Sequence, residues 1–272
     1  MTKILITGVS GFSGRYIDGY LINKEYDVNA HFGRGESGRG LEDPYTLQSW
    51  TEPTDVLVHI AAQSPDVGIT DTDIYKNIPM TYNLIQYAKR VGIKKIIYFS
   101  SDSVYGQPYI LEVSRDAARN ILNPSFYGLT KLVCEGLLKD SGIPTVVLRL
   151  PLIVGPGAKR NWLARMMQNV KEGKPVTIYN PRGLFNNVVH IQYVAEVVEN
   201  LINSEFEEQF AILLPRSTQP LTIRKVVNKI VRGKVPILEA SGSRGVDLYP
   251  DDTIPPPWTT ETTIDRYVQD ES

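Results

Sequence analysis

Residues 4–14 read Ile-Leu-Ile-Thr-Gly-Val-Ser-Gly-Phe-Ser-Gly. No other stretch constrains the fold as tightly. An unbroken apolar run meets glycines at positions 8, 11 and 14 and passes straight into an amphipathic segment ending near Ile22. Glycines so placed allow a tight turn, close approach of backbone to a ligand, and close packing of the following helix on the strand. The reading is a strand over 4–7, a turn, and a helix over 11–22. The same alternation continues, with strands at 28–32, 56–60, 96–99 and 146–150 and helices at 77–91 and 125–139. Pro79 falls in the first turn of its helix, where a proline is tolerated. Apolar runs without polar alternation mark strands covered on both faces, and strand–helix alternation marks a doubly wound parallel α/β sheet.

Beyond Pro151 the texture changes, with Gly155, Pro156 and Gly157 in quick succession. Helices are predicted at 162–172, 192–203 and 222–231, short strands at 176–178 and 188–191, and a loop over 242–257. The organisation predicted is a nucleotide-binding domain over 1–150, with 185–205 returning to it. A smaller C-terminal α/β substrate lobe takes 151–184 and 206–272. A chain of 272 residues, 42% hydrophobic and 22% charged, can bury a core of that size.

The net charge of −1 provides no overall field to recruit nucleic acid or an anionic membrane. The single cysteine, Cys134, cannot form an internal disulfide, and it reads as a small apolar residue on a helix face. No zinc set and no other metal site is legible, and no run approaches the ~18 apolar residues of a membrane span. The N-terminal apolar run is too short for a secretory leader. A cytoplasmic protein is expected.

Placed between a strand and a helix, the glycine loop suits the pyrophosphate of a dinucleotide, which the helix N-terminus attracts. Gly8, Ser10, Gly11, Phe12, Ser13 and Gly14 are the residues of that cradle. An NAD site ordinarily carries an acid at the end of the second strand. Here Asn29-Ala30-His31-Phe32-Gly33-Arg34 has none, and Arg34 can pair with a 2′-phosphate, with Arg15 as a helper. The cofactor is therefore read as NADP, with NAD as the alternative; solvated arginines are the plain reading of both.

Tyr127 and Lys131 stand at i and i+4 of a predicted helix, on one face. An ammonium beside a phenol favours phenolate, so Tyr127 can exchange a proton with a substrate oxygen. Ser100-Ser101-Asp102-Ser103-Val104-Tyr105-Gly106 follows the strand at 96–99, which puts hydroxyls at a carboxyl strand end. Turn capping is the alternative role for any one of them.

In order and spacing, these segments resemble the extended short-chain dehydrogenase/reductases of the nucleotide-sugar epimerase/dehydratase group. The likeness rests on TGVSGFSG at 7–14, DVLVHIAA at 55–62 and Asn77. It continues through SSDSVYG at 100–106, YGLTK at 127–131, RLPLIVGPG at 149–157 and FNNVVHI at 185–191. It implies a Rossmann domain with a dinucleotide and a nucleotide-sugar substrate. The catalytic residues implied are Ser101, Tyr127 and Lys131. Ala61, Ala62, Asn77, Ser100 and Leu150 join the cofactor site, as do Tyr127 and Lys131. Asp102, Ser103, Lys159, Arg160, Asn161 and Asn187 face the substrate, although a solvated loop explains Lys159 and Arg160 equally well. His59, His190 and Trp162 read as packing residues. Where dehydratases carry a Glu, this chain has Ser103, which argues against dehydration. The arginine usual before the lobe strand is replaced by Asn186 or Asn187. The missing acid and a lobe short for an epimerase favour a 4-keto reductase in surface polysaccharide synthesis. The alternatives are a 4-epimerase, a reductase of a non-sugar carbonyl compound, and a non-catalytic dinucleotide sensor. Members of the group often dimerise through the helix carrying the tyrosine, and a homodimer is expected.

Overall fold

The structure, a computed structural model, describes residues 2–31, 40–48, 50–106, 125–240 and 258–272. In chain order it begins with β1 (Lys3–Thr7), α1 (Phe12–Asn23), β2 (Asp27–His31), β3 (Val56–His59), α2 (Asp71–Tyr75), α3 (Asn77–Val91) and β4 (Lys95–Ser101). A 3₁₀ turn over Asp102–Tyr105 comes next, and then α4 (Phe126–Lys139), β5 (Thr145–Leu150), β6 (Leu152–Val154) and α5 (Trp162–Lys171). The remainder is β7 (Val176–Tyr179), β8 (Leu184–Phe185), β9 (Val188–His190), α6 (Ile191–Asn203), β10 (Phe210–Leu213), β11 (Leu221–Thr222), α7 (Ile223–Val231), β12 (Ile237–Ala240) and α8 (Thr260–Asp270).

Two units emerge. The first holds the described residues up to 106, 125–149 and 195–213. Its six-stranded sheet runs β2-β1-β3-β4-β5-β10, and β1 pairs with β2 and β3, β3 with β4 and β10 with β5, all parallel. The chain adds β2 on one side of β1 and every later strand on the other. That reversal opens a crevice at the carboxyl ends of β1 and β3, the place where open α/β sheets take ligands. Leu5, Leu57, Ile96 and Val147 from the strands pack with Leu84 and Ala88 of α3 and Cys134 and Leu138 of α4. Each such large aliphatic side chain stabilises the fold by about 1.5–3 kcal/mol through burial. Helix α3 stops where Gly92 takes φ 77°, and Lys89 and Arg90 in its last turn complement the helix dipole. Lys95 Nζ donates to the carbonyls of Leu201, Ile202 and Ser204, tying β4 to the end of α6.

The second unit holds 150–194, 214–240 and 258–272. It has three strand pairs, β6 with β9 and β7 with β12 in parallel and β8 with β11 antiparallel. Its own core joins Leu163, Met167 and Val170 of α5, Val227 and Ile230 of α7, and Ile264, Tyr267 and Val268 of α8.

The predicted strands and long helices are present, but β6, β8, β10, β11, β12, α2 and α8 were not foreseen. Phe210–Leu213 pairs with β5, so part of the stretch assigned to the lobe belongs to the main sheet. It is a short edge strand just after an acidic run, with little pattern to reveal it. Helix α8 hides its buried stripe because Thr260 and Thr263 form part of it. The predicted loop at 242–257 lies outside the described residues. Among the described residues, no helix is long and apolar enough to cross a membrane.

Candidate active site

The end of β1 is knitted to the end of β3. Thr7 Oγ1 accepts from the N–H groups of Ile60 and Ala61, each at 3.2 Å, and bonds His59 Nδ1 at 2.9 Å. Gly8 follows at φ 80°, where a Cβ would lie 2.7 Å from the Ala61 nitrogen. The turn closes with Gly11 N–H donating to the Gly8 carbonyl at 2.9 Å. A methyl on Gly14 would strike that same carbonyl, so only glycine lets α1 start this close to the loop. Gly11 is the N-cap of α1, and no side chain caps the helix. The first N–H groups, at Phe12, Ser13 and Gly14, are thus left without a side-chain acceptor beside an exposed Ser10 and Gly11. This uncapped, glycine-lined helix start fits a pyrophosphate. Arg15 Nη2 donates to the Ser10 carbonyl at 3.2 Å, bringing a cation to the loop. Arg34 lies outside the described residues.

On the next segment, Asn77 is spent on structure. Its Oδ1 accepts from Gln63 N–H at 2.7 Å, and its Nδ2 donates to the Gln63 carbonyl at 3.0 Å and towards Thr130 Oγ1 at 3.4 Å. It brackets the loop after Ala61 and Ala62, both half-buried, against α4. These bonds hold its amide in the loop that follows β3. His59 is buried between Thr7 and Thr81, with Nε2 3.1 Å from Thr81 Oγ1. Burial, and then the charge of Lys131, pull its pKa down to about 3, so it is a neutral packing residue.

Beside the crevice, β4 delivers Ser101 into the 3₁₀ turn. Ser101 Oγ accepts from Ser103 N–H at 3.1 Å and so caps that turn. Its own proton reaches either Ser103 Oγ at 3.1 Å or Asp102 Oδ1 at 3.3 Å. Helix α4 then brings Tyr127 and Lys131 to the same place. Ser125 caps the helix by accepting from Gly128 N–H at 3.2 Å. A methyl on Gly128 would collide with the Ser103 carbonyl, so the glycine is what lets α4 close on the turn carrying Ser101. Lys131 is buried, donates from Nζ to the Phe99 carbonyl at 2.7 Å, and lies 4.7 Å over the Tyr98 ring and 5.8 Å over the Tyr127 ring. Burial lowers its pKa to about 8. Burial, followed by the field of the Asp102 carboxylate, pushes the half-buried Tyr127 phenol above its usual value. The shift runs opposite to the one that a nearby ammonium and a cationic nicotinamide were together expected to produce.

Ser100 is buried, and its Oγ donates to Glu135 Oε1 at 2.5 Å. Glu135 is paired with Arg149 at 2.6 Å, and Arg149 Nη1 donates to Tyr105 Oη at 3.1 Å. Arg149 opens the RLPLIVGPG motif but was given no role, and Glu135 was not singled out. The usable signal was a carboxylate at i+4 from Lys131, on the face of α4 that must be buried.

The remaining predicted residues belong to the second unit. Leu150 has a buried side chain and offers only its backbone. Lys159 and Arg160 are exposed. Asn161 is structural: its Oδ1 accepts from Ala164 N–H at 2.8 Å to cap α5, and its Nδ2 donates to the Ile153 carbonyl at 2.8 Å. Asn187 Oδ1 accepts from Nη1 of Arg216, a fully buried arginine that the sequence reading missed for want of any flanking pattern. His190 packs as expected, stacked on Trp258 with ring centroids 5.4 Å apart. Its Nδ1 accepts from Gln192 N–H at 3.1 Å and its Nε2 lies 2.7 Å from Asp270. Trp162, expected in the core, is 38% exposed and meets Phe185 edge-on.

The model of the NAD dependent epimerase/dehydratase family matches residues 4–204. The chain belongs to that family. Among curated relatives of this epimerase/dehydratase chain, the UDP-glucose 4-epimerase of Vibrio cholerae is 29% identical over 213 residues, 70% of this chain and 65% of that protein. The chain thus matches less than two thirds of that relative's length. Two solved structures share its fold. RMD from Pseudomonas aeruginosa complexed with NADPH has a TM-score of 0.79 at 21% identity, covering 100% of this chain and 97% of that one. The UDP-glucose 4-epimerase of Thermus thermophilus in complex with NAD has a TM-score of 0.77 at 18% identity, covering 99% of each. Both dinucleotides occur among these neighbours.

Proposed function

We propose that this epimerase/dehydratase-family chain is an NADPH-dependent reductase acting on a 4-keto group of a nucleotide-linked sugar. The observation that carries the reading is the convergence of Ser101, Tyr127 and Lys131 at the carboxyl end of β4, in the same unit as the uncapped glycine loop. When bound, the reduced dinucleotide supplies a hydride to the carbonyl carbon. Tyr127 Oη gives its proton to the carbonyl oxygen, and the product is an alcohol. Ser101 Oγ makes its capping bond through a lone pair, and its proton turns from Ser103 or Asp102 to that oxygen as charge develops. Lys131 stabilises the phenolate left on Tyr127, which solvent then reprotonates. Ser103, standing where a dehydratase has Glu, supports reduction over dehydration.

Nucleotide-sugar 4-epimerisation with retained NAD is the second reading, favoured by the Vibrio cholerae relative. Fluorescence titration with NADPH and NADH separates the two. Exchangeable binding at least about tenfold tighter for NADPH fits the reductase and Arg34 as the 2′-phosphate clamp. Tightly retained NAD(H) without an NADPH preference refutes the reductase. The partner we assign is a second copy of the chain, seated on the exposed Phe126, Leu129 and Val133 of α4 and Tyr82 of α3.

A further inference from the structure

Tyr127, Lys131 and Glu135 follow one another at i, i+4 and i+8 along one face of α4. Glu135 and its partner Arg149 are 5% and 2% exposed, so the pair stands out of water entirely. A buried ion pair is a weak source of stability, because removing two charges from water costs several kcal/mol per ion and apolar side chains of similar volume do as well. What this pair does supply is fixed geometry. Glu135 Oε1 accepts from Ser100 Oγ at 2.5 Å and from Arg149 Nε at 3.1 Å, and Oε2 accepts from Arg149 Nη2 at 2.6 Å. The fork is bidentate, which sets orientation as well as distance. Arg149 Nη1 continues to Tyr105 Oη, and the guanidinium lies 5.0 Å over the Tyr105 ring.

The bonds therefore tie four elements: the end of β4, the 3₁₀ turn, α4 and the end of β5. Ser100 immediately precedes Ser101, and Tyr105 closes the turn that Ser101 opens. Both ends of that turn are thus referred to the helix that carries Tyr127. We propose that Glu135 and Arg149 are positioning residues which, through Ser100 and Tyr105, set the placement of Ser101 relative to Tyr127. The inference rests on the reading that Ser101 and Tyr127 act together on a substrate oxygen. Neither Glu135 nor Arg149 bonds the glycine loop, so the proposal predicts a dinucleotide affinity that does not depend on the pair.

Ser100→Ala is the least invasive test, because it removes one bond and leaves the ion pair intact. NADPH oxidation is followed with a thymidine-diphospho-4-keto-6-deoxyhexose as the probe, alongside Glu135→Met/Arg149→Met and Tyr127→Phe. The expected result for Ser100→Ala is a kcat lower by about tenfold or more. Its KM for NADPH should stay within about twofold and its Tm within about 3 °C of wild type. The double variant should fold and lose at least as much kcat. A folded Ser100→Ala with unchanged kcat overturns the proposal, and so does a joint fall of kcat, NADPH affinity and Tm. Tyr127→Phe tells the two failures apart. If Tyr127→Phe is inactive while Ser100→Ala is fully active, the positioning pair alone is refuted. If Tyr127→Phe is as active as wild type, the underlying reading falls and the pair's role falls with it.

Discussion

Replacing Gly128 by Ala sets two effects of known sign against each other. Alanine in a helix interior is favoured over glycine by roughly 1 kcal/mol. At Gly128, however, the new Cβ would run into the Ser103 carbonyl oxygen, with the carbonyl carbon at 2.8 Å and Val104 nitrogen at 3.3 Å. All three are backbone atoms, so no side chain can swing aside. Relief requires α4 and the turn to separate by about 1 Å to reach ordinary contact. Overpacking of this kind costs about 1–3 kcal/mol, which exceeds the propensity gain. Gly136→Ala, two turns further along the same helix, meets nothing within 4 Å and serves as the control. Urea unfolding should find Gly136→Ala more stable by about 0.5–1 kcal/mol and Gly128→Ala less stable by up to about 2 kcal/mol. Because the displacement moves Tyr127 from Ser101, turnover in Gly128→Ala should fall about a hundredfold. A Gly128→Ala protein as stable as Gly136→Ala and fully active would falsify the close approach of helix and turn.

Three further outcomes follow from the same geometry. Burial lowers the Lys131 pKa to about 8, well below that of an exposed lysine, so the unfolded chain binds more protons between those values. Wild-type stability should therefore rise as pH rises from about 8 towards 10.5, by roughly 3 kcal/mol in total, and Lys131→Met should abolish that rise in denaturant titrations. His59, held neutral by burial with a pKa of about 3, acts in the acid range. The unfolded chain binds the extra proton below about 6.5, so stability should fall as pH drops from there, and His59→Asn should flatten that slope in thermal melts. Gly14→Ala should remove dinucleotide binding in the fluorescence titration, since its methyl would strike the Gly8 carbonyl; retained affinity would contradict the cradle.

The glycine loop and the sheet were legible because their signals are local. Glycines 8, 11 and 14 announce a backbone that a Cβ would block, and unbroken apolar strands announce burial on both faces. Tyr127 and Lys131 were legible for the same reason, being one helical turn apart. What escaped was set by distant partners. Asn77 and Asn161 look like ligand-facing amides in a motif, yet each is consumed by a loop or a helix cap. Ser100 and Ser101 are neighbours of one type, and only strand alternation turns the first inward to Glu135. Glu135 and Arg149 are ordinary charged residues until β5 brings them together. A motif shows the lysine beside Tyr127 but not the burial that raises its pKa.

The central claim is that Tyr127 is the proton donor to a substrate carbonyl oxygen. The most direct measurement is single-turnover reduction of the 4-keto nucleotide sugar by NADPH, comparing wild type with Tyr127→Phe, and NADPH affinity measured on both. The account predicts a rate about 10²–10⁴-fold lower in Tyr127→Phe with NADPH affinity within about twofold of wild type. A Tyr127→Phe protein that reduces the sugar at the wild-type rate would contradict it.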